Sequence, residues 1–174
     1  KSDEDESNTK YAQGGIAAVI TASDSFDKHI EDTLIAGDGL CDEEVVRMVI
    51  TEAPDRIREL IQWGAQFDKN SSGEFDLGKE GGHSENRILH HKDTTGFEIE
   101  RALIEQVNAH PNIEVLDHHF AVEIITQHHQ GQYVNSSTPD VVCYGVYALN
   151  LKTGFTDVIL AKTTLMASGG AGNV

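Results

Sequence analysis

Residues 141–151, VVCYGVYALNL, and residues 157–168, DVILAKTTLMAS, are β-rich runs joined through the turn Lys152 to Gly154. A chain that reverses over so short a glycine-bearing link must pair its two arms antiparallel. The run FAVEIIT, Phe120 to Thr126, extends this hairpin into a small meander. Ahead of it, Gly96 to Ala109 places Ile99, Leu103, Ile104 and Val107 on one helical stripe, and His110-Pro111-Asn112 stops the helix. IEVL at Ile113 to Leu116 then reads as a short strand. The expectation is a parallel arrangement built around Ile113 to Leu116 and Thr163 to Ser168.

The first half is helical. Phe26, Ile30 and Leu34 mark a helix over Ser25 to Ala36, stopped by GDGL. Asp42 suits the cap of a helix running to about Glu52. Pro54 suits the first turn of another helix, with Ile57, Leu60 and Ile61 inward. Thr95 and Glu98 have the spacing of a capping box. The fold class is therefore mixed α/β, with helices, parallel strands and a small antiparallel meander.

Charge removes some functions. With 29 acidic against 13 basic residues the formal net charge is −16. Such a surface does not suit nucleic acid, which wants a basic face. No apolar run is long enough for a membrane span. Cys41 and Cys143 lie far apart and read as small packing residues in a reducing compartment, so the expected location is cytoplasmic.

Three glycine clusters remain: YAQGGIAAV, KEGGHSENRILH and MASGGAG. Each alone fits an ordinary turn. TTLMASGGAGNV is better placed, since an apolar run ending in small residues suits a strand end facing a nucleotide. In this order, with HIEDTLIAGDGLCDEEVV, EGGHSENRILHHKDTTG and HPNIEVL, they resemble the L-aspartate oxidases, flavoproteins related to the flavoprotein subunits of succinate dehydrogenase and fumarate reductase. The resemblance covers essentially the whole chain. It implies an internal part, residues 1–174, of a FAD-binding domain of the glutathione-reductase-like type. The family's N-terminal GxGxxG segment, its capping domain, its catalytic arginines and its C-terminal flavin contacts have no counterpart here. A chain so truncated is expected to be inactive alone and not to retain FAD.

The resemblance also implies site residues. Lys1 falls near the adenosine ribose of FAD. Asn8, Thr9, Lys10, Tyr11, Ala12, Gln13, Gly14 and Gly15 wrap the cofactor near its isoalloxazine ring, where absent side chains let the backbone approach. Phe120 and Ala121 lie toward the adenine, and Ala167, Ser168, Gly169 and Gly170 form the second glycine box. Succinate dehydrogenases carry a flavin-attaching histidine near Asn8; Ser7, Asn8 and Thr9 stand here, so the FAD is expected to be non-covalent. In the family the carboxylate matching Glu80 faces the substrate amino group, with His83 and Ser84 shaping the same pocket. Alone, Glu80 reads as a solvated loop glutamate. His90 matches a family histidine, whereas His91 departs from the pattern.

The implied activity is oxidation of L-aspartate to iminoaspartate, the first step of de novo NAD biosynthesis. Its partners are L-aspartate, O2 or fumarate, and the next enzyme of quinolinate synthesis. A fumarate reductase or succinate dehydrogenase flavoprotein is the alternative enzyme, and a non-catalytic acidic binding domain the alternative from another class. The pairs His90-His91, His118-His119 and His128-His129 invite a metal reading. Adjacent residues on a strand point to opposite faces, however, and no HxH, HExxH or CxxC occurs, so no metal site is expected.

Overall fold

The computed structural model describes residues 5–169, which divide into two compact units between Val115 and Leu116. In the first unit, β1 (Ile16–Ala17), β2 (Leu77–Gly78) and β3 (Ile88–Leu89) form an antiparallel sheet in the order β1-β3-β2. Three helices accompany it: α1 (Phe26–Ala36), α2 (Glu43–Gln62) and α3 (Thr95–Ala109). Ser25 caps α1 by accepting the Lys28 amide, and Asp42 caps α2 by accepting the Glu44 and Val45 amides. Ala18, Ile57, Ala65, Phe67, Leu89 and Ala102 close the core.

The break expected at Pro54 does not occur. One 20-residue helix runs through it. Ile50, Pro54 and Ile57 form the buried stripe of α2, and this burial offsets the roughly 3 kcal/mol that an interior proline costs a helix. The capping box at Thr95 is also absent. The buried Thr95 hydroxyl accepts the His91 amide, and the Glu98 carboxylate accepts the Gln66 amide at 2.8 Å while pairing with Arg101. Thr94 is the residue at the cap. Both side chains fasten α3 to neighbouring loops instead of closing its own end.

The second unit is an antiparallel meander of β4 (His119–Ile125), β5 (Gly145–Asn150) and β6 (Thr156–Leu160), in that order. A register shift between Ala121 and Glu123 bends β4. The turn at Lys152 to Gly154 is as expected. Asn150 Oδ1 accepts the Lys152 and Thr153 amides, and Gly154 takes the left-handed conformation at φ 75°.

The parallel strands are not found among the described residues. Residues 113–116 and 163–168 belong to no strand, and every strand pairing is antiparallel. A parallel strand needs a hydrogen-bonding neighbour reached by a crossover, and no described residue supplies one to either segment.

Candidate functional site

Two loops of the first unit converge. The segment Asn8 to Gly15 begins with a 3-10 turn, Thr9–Tyr11, in which the Tyr11 amide donates to Asn8 and the Ala12 amide to Thr9. Ser7 Oγ accepts the Thr9 and Lys10 amides, and Lys10 Nζ pairs with Asp5 at 2.7 Å. The Ala12 carbonyl accepts the Gly96 amide at 3.0 Å. A Cβ on Gly96 would overlap the Thr9 carbonyl, so this glycine lets the segment cross the start of α3. Unsatisfied backbone, the natural expectation for a segment awaiting a cofactor, is therefore not what residues 5–12 present.

The two glycines separate in role. A Cβ on Gly15 would overlap Ile88 Cγ2 and the Leu89 carbonyl, so Gly15 serves the packing of this segment on β3. Gly14 is exposed, and a Cβ there would meet a single neighbour, Glu80 Oε1, at 3.9 Å. Only Gly14 offers an open face to a ligand, and the Glu80 carboxylate overhangs it.

Glu80 sits in the loop 79–87 that joins β2 to β3, whose base is pinned by Gly78 facing Ile88 and by the Arg87 amide donating to Gly78. His83 N–H closes a turn on the Glu80 carbonyl at 3.2 Å, and Gly82 is left-handed at φ 87°. The Glu80 carboxylate makes no hydrogen bond or ion pair among the described residues. The neighbouring cation, Lys79, donates instead to the Ser84 carbonyl at 2.8 Å. His83 packs edge-on against His29 at 5.9 Å, and neither Nδ1 has a partner among the described residues. Burial first, then the nearby Arg87 charge, holds His29 below its ordinary pKa.

Ser84, though exposed, is tied to α1. Its amide and hydroxyl both donate to Asp32 Oδ2, at 2.7 and 2.8 Å. The same oxygen accepts Arg87 Nη1 at 2.5 Å, while Arg87 Nε and Nη2 each donate to Asp24 at 2.8 Å. Arg87 is fully buried, and the Asp24 side chain is 1% exposed. Sequence reasoning missed Asp24, Asp32 and Arg87. Asp32 lies in the EDTLIAG stretch that carries part of the resemblance, but spacing gave no hint that it meets a residue 55 positions away.

Burial opposes ionisation of Asp32. The Ser84 amide, the Arg87 guanidinium and the Ser84 hydroxyl outweigh it and hold the carboxyl at about 2, against an ordinary 3.8. A depressed carboxylate stabilises the fold fully above its unfolded value and loses that contribution as pH falls through the folded one. The stability lost on Asp32→Asn, measured by urea unfolding, should thus be largest near neutrality and shrink between pH 3.8 and about 2. A pH-independent gap would show that the charge of Asp32 is irrelevant. The charged group facing it is Arg87, which it shares with Asp24, with His29, His83 and the Lys28–Glu85 pair nearby.

In the second unit, a cavity of about 460 Å³ is lined by Ala121, Ile124, Val146, Thr164, Ala167 and Ser168, among others. Two of the sequence-predicted cofactor segments thus meet at one hollow. Thr164 Oγ1 is buried and has no hydrogen-bond partner among the described residues, an orphaned polar atom in an apolar recess. Such a recess suits a flat, heteroatom-bearing ligand such as FAD. Phe120 is 61% exposed and lines no part of the cavity. Gly169 is left-handed at φ 77°. Lys1 and Gly170, also expected at the cofactor, lie outside the described residues.

The histidine pairs have other partners. His90 Nδ1 faces Asp68 at 3.2 Å, and His91 Nδ1 meets the Gln66 carbonyl at 2.9 Å. His128 and His129 lie on a 3-10 turn, not on a strand, so both rings come together with Glu123, their ligand-type atoms within 4.8 Å. The geometric objection to chelation by neighbours therefore does not apply to this pair. A chemical one does: His129 Nδ1 accepts the Thr126 amide at 3.3 Å, which leaves the proton on Nε2, 3.4 Å from Glu123. The nitrogen a metal would take then carries a proton and faces the Glu123 carboxylate.

Among the described residues no helix is long and apolar enough to cross a membrane. A family model described as FAD binding domain matches residues 1–174. The chain is 50% identical to L-aspartate oxidase 2-a, chloroplastic, of Nicotiana tabacum, over 100% of its own length and 26% of the relative's. It is 41% identical to the L-aspartate oxidase of Vibrio cholerae, over 97% of this chain and 31% of that protein. It thus spans about a quarter to a third of these relatives. Among solved structures, a quinol fumarate reductase from E. coli matches with a TM-score of 0.82 and 31% identity, over 97% of this chain and 27% of that one.

Proposed function

The chain belongs to the FAD binding domain family, and on that premise we propose that it is an internal part of the FAD-binding domain of an enzyme that oxidises L-aspartate to iminoaspartate. The observation that carries this reading is the approach of the unpartnered Glu80 carboxylate to the open face of Gly14. Bound FAD would supply the acceptor for the hydride of the substrate α-carbon, with O2 or fumarate as the final electron acceptor. The residues of this chain bind and orient. Glu80 receives the substrate ammonium, a charge that succinate and fumarate lack. Ala121, Thr164, Ala167 and Ser168 hold the adenine end, with the Thr164 hydroxyl free to meet a ring nitrogen. Ser7, Asn8 and Thr9 offer no imidazole for a covalent flavin link, so FAD is held non-covalently. Abstraction of the substrate proton falls to an arginine outside residues 1–174. The next enzyme of quinolinate synthesis belongs to the same proposal as a protein partner. A cytoplasmic location does too, supported by two free cysteines, although the tobacco relative is named as chloroplastic.

The fumarate reductase match supports a second reading, a succinate- or fumarate-specific flavoprotein. Both are tested on the purified full-length enzyme. Expected are flavin absorbance, release of free FAD on acid precipitation, and hydrogen peroxide from L-aspartate but not from succinate. Oxidation of succinate in preference to aspartate would establish the second reading. A colourless protein that oxidises neither would leave only a non-catalytic domain.

A further inference from the structure

We propose that α1 is a positioning platform for the Glu80 loop: Asp32, locked by Arg87, grips Ser84 and so fixes where Glu80 stands over Gly14. This rests on the reading of Glu80 as the group that receives the substrate ammonium.

The argument begins with spacing. Lys28, Asp32 and Ala36 recur every four residues and so share one face of α1, with His29 beside them. Lys28, His29 and Asp32 touch loop 79–87, and Ala36 lies beside Gly82. Lys28 Nζ pairs with Glu85 at 2.6 Å, the His29 ring meets that of His83, Asp32 holds Ser84 and Arg87, and a Cβ on Gly82 would come within 3.9 Å of Ala36 Cβ. The contacts differ in weight. Lys28–Glu85 is an exposed pair, of the kind that contributes little. Asp32 Oδ2 is the node, accepting the Ser84 amide, the Ser84 hydroxyl and Arg87 Nη1. Arg87 is immobilised in turn, because its other nitrogens are held by buried Asp24.

Core formation does not demand this grip on Ser84. Ser84 is exposed, and water could satisfy its amide and hydroxyl. The base of the loop is already fixed by β2 and β3. What the grip adds is the location of the tip, four residues from Ser84 to Glu80 with the His83–Glu80 turn between them. A carboxylate that must meet a substrate ammonium gains from being held there before substrate arrives, since small misplacements cost rate steeply. Asp32 and Arg87 are positioning residues, acting through Glu80.

The test uses the full-length FAD-loaded enzyme and the variants Asp32→Asn, Ser84→Ala, Glu80→Gln and Glu80→Gln/Asp32→Asn. Asp32→Asn should lower kcat/KM for L-aspartate about tenfold and leave fumarate reduction within about twofold, as loss of one well-placed contact does. The double variant should fall no lower than Glu80→Gln alone, because a residue acting through another is non-additive with it. Amide hydrogen exchange across residues 79–86 should rise in Asp32→Asn and Ser84→Ala while that of α2 stays unchanged. Additive losses, or unchanged exchange in the loop, overturn the platform. So does unchanged aspartate turnover in Asp32→Asn and Ser84→Ala while Glu80→Gln is impaired, and that outcome leaves the proposed function standing. Unchanged turnover in Glu80→Gln itself instead removes the reading of Glu80. Should Asp32→Asn not fold, Ser84→Ala, at an exposed position, carries both readouts.

Discussion

Replacing Glu80 by glutamine should lower kcat/KM for L-aspartate by about one to two orders of magnitude and spare fumarate reduction. A desolvated contact between charged groups is worth roughly 1.5–3 kcal/mol, and about 1.4 kcal/mol is tenfold in rate. Aspartate presents an ammonium beside the carbon that gives up hydride; fumarate has no amino group. Glutamine keeps the length of the side chain and removes only its charge. The fold should be indifferent, because Glu80 is exposed and makes no hydrogen bond or ion pair among the described residues. Flavin content should also be unchanged, since Glu80 is the single neighbour on the open side of Gly14 and its length is conserved. Both reactions are to be measured on one purified variant. Equal losses in the two would mean that Glu80 serves the flavin or the fold, and the assignment of amino-group selection to it would be wrong.

Local chemistry was legible in the sequence, and long-range chemistry was not. The Asp42 cap and the Lys152 to Gly154 turn follow from residues within a few positions of one another, and both are present, whereas of the expected α1 stripe only Ile30 is buried and Phe26 is exposed. Pro54 misleads because the local cost is visible and the burial that offsets it is not. Thr95 and Glu98 have capping-box spacing, yet the His91 and Gln66 amides and the Arg101 guanidinium claim their oxygens, and no local pattern announces such competitors. The same limit hides Arg87. An arginine before an apolar pair looks like an exposed strand end, and only the fold brings Asp24 and Asp32 to it.

Strands and glycines give a sharper lesson. Ile113 to Leu116 and Thr163 to Ser168 have strand composition, but a strand is a pairing, and apolar pattern cannot supply the neighbour. Among the described residues every strand pairing is antiparallel, yet the chain matches the FAD binding domain family over residues 1–174, so the missing parallel strands do not count against that family. Gly14 and Gly15 read alike as cofactor glycines. In three dimensions one faces Glu80 and open space and the other is pressed on β3. One sequence pattern covers both positions, and the fold uses them differently.

Replacing Arg87 by methionine should destabilise the protein by about 3–5 kcal/mol, the cost of leaving a buried carboxylate without its partner. Arg87 and the Asp24 side chain are essentially inaccessible to water, and Asp32 is 13% exposed. Removing the guanidinium leaves Asp24 with the Ser25 amide as its remaining hydrogen-bond donor. Methionine fills much of the volume, so the loss reports charge more than cavity. Lysine should not rescue it, because one ammonium cannot present Nε and Nη2 to Asp24 and Nη1 to Asp32 at once. A second change should: Arg87→Met with Asp24→Asn removes the more buried of the two uncompensated charges, Asp32 keeping its own, and recovers part of the stability, since a buried pair replaced on both sides costs far less than one broken on one side. Urea unfolding of the three variants beside the parent decides it. A loss under about 1 kcal/mol in Arg87→Met would place the site in the range of surface ion pairs. An Asp24→Asn change that adds to the damage instead of relieving it would show that the stranded carboxylate is not its source.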